Sequence, residues 1–225
     1  QVNKLWEVEK KYNPEFDTEK RNVVFDEVRA REQTRQVKIR EILTETQLAK
    51  YDAMDQIKPV MPKDVVHGRL MMELHYYTPY NFAGLTEDAD WGKVYYYWGK
   101  ENLNPNDPEH CPSYGDELFA LQHFDMAKRQ FADNGIPIIM GEYACNRKVF
   151  DDPLIDSLHH KSRMDWLYFV TKNALEYGFI PVYWDNGYIG VPSMGLYNRL
   201  NGKTCDAEAV EVIMKGVKDA DKYWK

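Results

Sequence analysis

The sequence is short of paired cysteines. Cys111, Cys145 and Cys205 are odd in number and widely spaced, with no C-x-x-C, so neither a zinc site nor a full disulfide framework is expected. It has no apolar run near the ~18–20 residues that a membrane-spanning helix needs, and a soluble chain without a membrane span follows. It also lacks a basic excess. The formal net charge of −7 argues against a nucleic-acid partner, because phosphate binding needs a positive surface. Glycine is missing from residues 1–63 altogether. The chain opens at Gln1 with no apolar leader, so no signal peptide is expected within it.

At 225 residues the chain has the size of one domain, or of one domain with an appendage. Charge divides it in two. Residues 1–63 hold 13 Lys/Arg against 12 Asp/Glu, which leaves 16 against 24 for the rest. The first part reads as helical, with Asp17 or Thr18 capping an apolar stripe through Val24, Val28, Ile39, Ile42 and Leu43. Thr44-Glu45-Thr46-Gln47 is a capping box that starts a second helix, which ends before Pro59 and Pro62. Leu43-Thr44-x-x-Gln47 also resembles the LTxxQ motif of small helical periplasmic stress proteins, although a plain capping box accounts for it. The expected organisation is a helical segment over 1–63 and a second domain over 64–225.

From Arg69 the texture becomes βα. Leu70–His75 is strand-length and ends in His75-Tyr76-Tyr77-Thr78-Pro79-Tyr80. Residues 81–114 form a long aromatic loop containing Trp91 and Trp98, and such loops are often functional. A helix over 116–132 closes at Asn134-Gly135. Next comes the apolar run Ile136–Met140, which reads as a strand buried on both faces, with Glu142 where the run ends. A helix over 158–177, a strand over 179–183 ending in Trp184-Asp185-Asn186-Gly187, and a helix over 206–217 complete the chain. The alternation predicts an α/β fold with a parallel sheet or barrel, in which polar residues at the C-terminal strand ends line the site.

His75-Tyr76-Tyr77, Pro137-Ile138-Ile139-Met140-Gly141-Glu142-Tyr143 and Trp184-Asp185-Asn186-Gly187 stand at three successive strand ends. In order and content they resemble the second half of family 5 glycoside hydrolases, the cellulase family. The H-Y-Y-T-P-Y-N-F-A-G and W-D-N-G versions are most similar to Bacteroidetes-type endoglucanases and xyloglucanases of subfamily four. The resemblance covers about residues 66–218. It implies the C-terminal part of a (β/α)8 barrel that acts by retaining hydrolysis on a β-1,4-glucan or xyloglucan, without metal or organic cofactor. It assigns Glu142 as nucleophile, with His75 and Tyr77 beside it. Trp184 becomes the platform under the sugar, and Asn186 a donor to a sugar hydroxyl. Trp91 and Trp98 would extend the platform along the chain. A secreted or periplasmic location is implied by analogy.

One part of the family pattern is missing. Retaining hydrolysis needs two carboxyl groups ~5–5.5 Å apart. The family's acid/base belongs to an Asn-Glu-Pro type motif, and no Asn-Glu follows an apolar strand here; Asn13-Pro14-Glu15 has the wrong order. Three explanations follow. The chain is a catalytically incomplete, carbohydrate-binding or structural remnant; or a second copy or partner completes the barrel; or Glu73 or Asp185 substitutes as the acid.

Overall fold

The computed structural model describes Thr44, Pro62, Val66 and residues 68–224. The chain divides into two compact units, Gln1–Val65 and Val66–Lys225. The helices expected over 17–58 lie outside the described residues, and the account below concerns the second unit.

Three parallel strands make one sheet in sequence order: β1 (Met72–Tyr76), β2 (Ile138–Tyr143) and β3 (Phe179–Tyr183). Four α-helices accompany them: α1 (Tyr80–Ala83), α2 (Glu117–Gln130), α3 (Pro153–Glu176) and α4 (Ala207–Asp219). This βα alternation is part of a (β/α) barrel. Among the described residues β1 and β3 pair only with β2, so each presents one unpaired edge.

The starts of α2, α3 and α4 are set by carboxylates. Asp116 accepts from the Phe119 amide at 2.9 Å, Asp152 from those of Leu154 and Ile155, and Asp206 from that of Ala209. α3 begins at Pro153, five residues before the expected start, because Asp152-Pro153 is a cap followed by proline at the first helical position. α2 ends in a single 3₁₀ turn at Ala132–Asn134, closed by Gly135 at φ 76°.

The core lies between the sheet and these helices. Ile138, Met140 and Tyr143 of β2 are buried with Leu121 and Phe124 of α2 and Trp166, Leu167 and Val170 of α3. The Phe124 ring meets Tyr76 at 4.9 Å and Phe179 at 5.1 Å, both edge to face. Arg163, one turn before Leu167 on α3, is fully buried. Its Nε donates to the Cys145 carbonyl at 3.0 Å, and its Nη1 lies 2.8 Å from Asp206 Oδ2.

β2 differs from the expected strand in two ways. It starts at Ile138 and continues through Glu142 to Tyr143, and Ile139 is only half-buried, so one face alone is packed. Its pairing with β1 also slips. Leu74 faces Met140, but His75 faces Glu142, so Gly141 is the extra residue of a bulge. A Cβ at Gly141 would run into the Glu73 carboxylate. Bulges commonly re-aim side chains beside active sites, and this one sets Glu142 opposite His75.

Candidate active site

The site sits at the C-terminal ends of β1, β2 and β3. Glu142 is half-buried on β2. Its Oε2 accepts a 2.8 Å hydrogen bond from the Tyr77 hydroxyl, and His75 Nδ1 lies 3.4 Å from the same oxygen. Burial and the neighbouring Glu142 carboxylate both raise the Tyr77 pKa, so the phenol stays a donor. His75 Nε2 is 3.4 Å from Glu73 Oε1. The imidazole thus stands between two carboxyl groups. Strand alternation gives Glu73 the same sheet face as His75, and the Gly141 bulge lets Glu142 join them.

Trp184 follows β3 directly. Its amide donates to the Tyr143 carbonyl at 3.0 Å, and its indole is 45% exposed. Asn186 Oδ1 accepts from the Tyr188 amide at 3.1 Å, which fixes the amide plane and leaves Nδ2 for another acceptor. Asp185, a candidate acid on sequence grounds, is otherwise engaged. Its carboxylate accepts from the amides of Gly187, Leu196 and Tyr197. Burial opposes its charge, but those backbone donors and Arg199 outweigh it and hold the carboxyl below its usual range. Asp185 builds the loop and is not poised to give up a proton near neutrality.

The aromatic loop splits its two tryptophans. Trp98 is only 2% exposed; its Nε1 donates to the Gly115 carbonyl at 2.8 Å and its ring packs edge-on against Phe169 at 5.4 Å. It is core, and the expectation that it forms part of a glycan platform is corrected. Trp91 is 64% exposed. Cys145 is fully buried, and burial pushes its thiol pKa up, so it offers no thiolate.

Asp107, Glu109 and His110 are the one group among the described residues whose ligand atoms cluster as a cation's would, within 4.8 Å of one another. Asp107 is already occupied there by His110 Nδ1 at 2.6 Å and the Tyr97 hydroxyl at 2.9 Å. Among the described residues no helix is long and apolar enough to cross a membrane.

A tyrosine and a histidine thus clasp a carboxylate at the mouth of the parallel strands. The family model described as Cellulase (glycosyl hydrolase family 5) matches residues 17–190. The chain belongs to glycosyl hydrolase family 5. The matched span begins well inside the N-terminal segment, ahead of β1. Endoglucanase A of Paenibacillus barcinonensis is 31% identical over 149 residues, which are 66% of this chain and 34% of that enzyme. A xyloglucan-specific endo-β-1,4-glucanase of Bacteroides ovatus is 30% identical over 158 residues, 70% of this chain and 29% of that enzyme.

Among solved structures, the B. ovatus family 5 xyloglucanase bound to an XXXG heptasaccharide superimposes with a TM-score of 0.60 at 28% identity, over 71% of this chain and 32% of that one. A broad-specificity endoglucanase from Bacteroides salanitronis gives 0.55 at 34% identity, over 72% and 40%. The chain therefore spans about a third of the length of the curated relatives it matches.

Two parts of this family 5 site were not read from the sequence. The Gly141 bulge leaves no mark beyond a glycine, which reads equally well as a strand end. The approach of Glu73 to His75 depends on that bulge.

Proposed function

We propose that this family 5 chain carries the nucleophile side of a retaining glycoside hydrolase acting on a β-1,4-glucan or xyloglucan of plant origin. The observation that carries the reading is the 2.8 Å hydrogen bond from Tyr77 to Glu142, with His75 on the same oxygen. A carboxylate held in one orientation by a neutral phenol keeps its charge, and its free oxygen is directed at an anomeric carbon. Glu142 attacks that carbon as the glycosidic bond breaks, giving a glycosyl ester on Oε that water then opens. Trp184 supplies an exposed indole against which the C–H face of a pyranose packs. Asn186 Nδ2 and His75 address its hydroxyls.

The second carboxyl group must protonate the leaving oxygen and then activate water. Asp185 is committed to its loop. Glu73 stands on the far side of the His75 ring from Glu142, so it serves the histidine and not the leaving group. We propose that the acid comes from outside the described residues, with a second copy of the chain or a partner that completes the barrel as one source. Action on wall polysaccharide fits a secreted or periplasmic location.

A second reading, a carbohydrate-binding remnant that does not hydrolyse, is favoured by the commitment of Asp185 to its loop and of Glu73 to His75. Reducing-sugar release from carboxymethylcellulose, lichenan and xyloglucan separates the two. Release by the wild type that disappears in Glu142→Gln is the expected result. Background release from both variants, together with binding to the same glycans, supports the remnant.

A further inference from the structure

Glu73 is a carboxylate for which the fold makes room. It stands on β1 two residues before His75, so strand alternation puts both side chains on one face of the sheet. Across the pairing with β2 the carboxylate lies over Gly141, where any Cβ would strike Glu73 Oε1. The glycine whose bulge sets Glu142 opposite His75 is therefore also the one that leaves the slot for Glu73. The Glu73 side chain is 63% exposed, and among the described residues its one hydrogen-bond partner is His75 Nε2, at 3.4 Å. An exposed contact of this kind adds little to fold stability. What it does is hold a ring.

The ring needs holding because its two orientations differ chemically. A half-turn about the Cβ–Cγ bond of a histidine exchanges Nδ1 with Cδ2 and Nε2 with Cε1. In the orientation found here, Nδ1 faces Glu142 Oε2 at 3.4 Å. After the half-turn a C–H would face it. The same oxygen already accepts from the Tyr77 hydroxyl at 2.8 Å, so with Nδ1 in place Oε2 is held from two sides and Oε1 is the free oxygen. His75 is 47% exposed, and packing alone does not choose between the two orientations. Glu73 does. An ionised carboxylate accepts a proton from nitrogen and gains nothing from a C–H, and the hydrogen bond at one ring nitrogen decides what the other end of the ring presents.

We infer that Glu73 is a positioning residue for Glu142 that acts through His75, fixing the imidazole so that Nδ1, and not a C–H, stands against the Oε2 of the nucleophile. The inference rests on the reading of Glu142 as nucleophile. The chain of contacts runs from Glu73 Oε1 to His75 Nε2, through the ring to Nδ1, and from there to Glu142 Oε2. Glu73 itself meets no sugar and neither gives nor takes a proton during the reaction. This is the general logic of a catalytic group oriented by a second group, itself held by a third.

The test is covalent labelling of the full chain with 2,4-dinitrophenyl 2-deoxy-2-fluoro-β-cellobioside, which separates the maximal rate of ester formation at Glu142 from the reagent concentration that half-saturates it. Glu73→Ala, Glu73→Gln, His75→Ala and the double variant Glu73→Ala/His75→Ala are compared with the wild type. Both side chains are exposed, so all four keep the wild-type melting temperature. The inference predicts a maximal rate about fivefold to tenfold lower in Glu73→Ala with half-saturation unchanged, because a hydrogen bond to a charged group is lost and no sugar contact with it. Glu73→Gln, whose amide oxygen accepts the same N–H, restores most of the rate. In the His75→Ala background, Glu73→Ala has no further effect. A wild-type rate in Glu73→Ala, an equal loss in Glu73→Gln, or the same loss with and without His75 overturns the inference. NMR relaxation at Cε1 of the His75 ring, assigned with His75→Ala, reads the ring without any labelling. Its order is expected to drop in Glu73→Ala and to hold in Glu73→Gln, and unchanged order in Glu73→Ala overturns the inference. A wild type that takes no label while its ring loosens in Glu73→Ala removes Glu142 as nucleophile and supports the hold of Glu73 on the ring.

Discussion

The Tyr77 hydroxyl and the Glu142 carboxylate are 2.8 Å apart although 65 residues separate them in sequence. Two parallel strands bring them together, and a one-residue bulge at Gly141 sets the carboxylate in the right phase. Removing the donor leaves a half-buried carboxylate free to turn away. Tyr77→Phe is expected to keep the fold and to slow any reaction at Glu142 by about tenfold or more, since a hydrogen bond to a charged group is worth roughly 1.5–3 kcal/mol. The rate of turnover, or of covalent labelling at Glu142, checks this.

Trp98 and Trp91 are predicted to behave oppositely. Trp98→Ala opens a cavity between Gly115 and Phe169 and is expected to cost roughly 3–5 kcal/mol in urea unfolding. Trp91→Ala is expected to stay within about 0.5 kcal/mol of wild type, as exposed substitutions usually do.

That pair also marks where the sequence stops being informative. The two tryptophans sit seven residues apart in the same irregular loop, and nothing local distinguishes them. Which one is buried is decided by partners distant in sequence, the Gly115 carbonyl and the Phe169 ring. By contrast β3 was legible to the residue, because Gly178 before it and the polar Trp184–Gly187 turn after it punctuate a short apolar run. The strand-end positions of His75, Glu142 and Trp184 were legible for the same reason. The start of α3 was in the sequence as Asp152-Pro153, but its first turn carries too little apolar periodicity to show. Glu73 shares the face of His75 by strand alternation, but its approach to the ring depends on the Gly141 bulge, which the sequence does not show.

The link between α3 and α4 rests on a buried charge. Arg163 and Asp206 are both nearly inaccessible, with their charged atoms 2.8 Å apart. Asp206→Asn leaves the guanidinium without its counter-ion and weakens the α4 cap. A loss of roughly 3–5 kcal/mol is expected in chemical unfolding.

Acid should destabilise the protein through His159. Its ring is 1% exposed, with Nδ1 2.8 Å from the Tyr96 carbonyl and Nε2 3.4 Å from the Lys148 amide. One nitrogen therefore donates, the other accepts, and a second proton has no acceptor. Burial, reinforced by the Lys148 charge, pushes its pKa from 6.5 down to about 3. The unfolded chain takes up a proton below 6.5 that the native state refuses, so stability falls as pH drops from 6.5 toward 3. The loss is on the order of 4 kcal/mol by the lower end of that window. His159→Gln is expected to flatten this slope in unfolding free energies measured from pH 7 to 4.

Lys148 acts on the alkaline side. Its ammonium is buried against the Phe82 carbonyl at 2.5 Å, and burial, with the Arg163 charge adding to it, lowers its pKa from 10.5 to about 8. Above pH 8 the native state releases a proton that the unfolded chain keeps, so this group's contribution to stability rises between about 8 and 10.5. Lys148→Met should lack that rise when unfolding is compared at pH 7.5 and 9.5.

The central claim is that Glu142 is a nucleophile, and the most direct measurement does not depend on the second carboxyl group. A 2,4-dinitrophenyl 2-deoxy-2-fluoro-β-cellobioside has a leaving group that needs no protonation, and its fluorine slows the hydrolysis of the glycosyl ester. Incubation with the chain followed by peptide mass spectrometry is predicted to give one added fluorocellobiosyl group, on Glu142, and none in Glu142→Gln. An adduct on another residue, or a wild type that stays unlabelled while it binds glucan, would contradict the assignment.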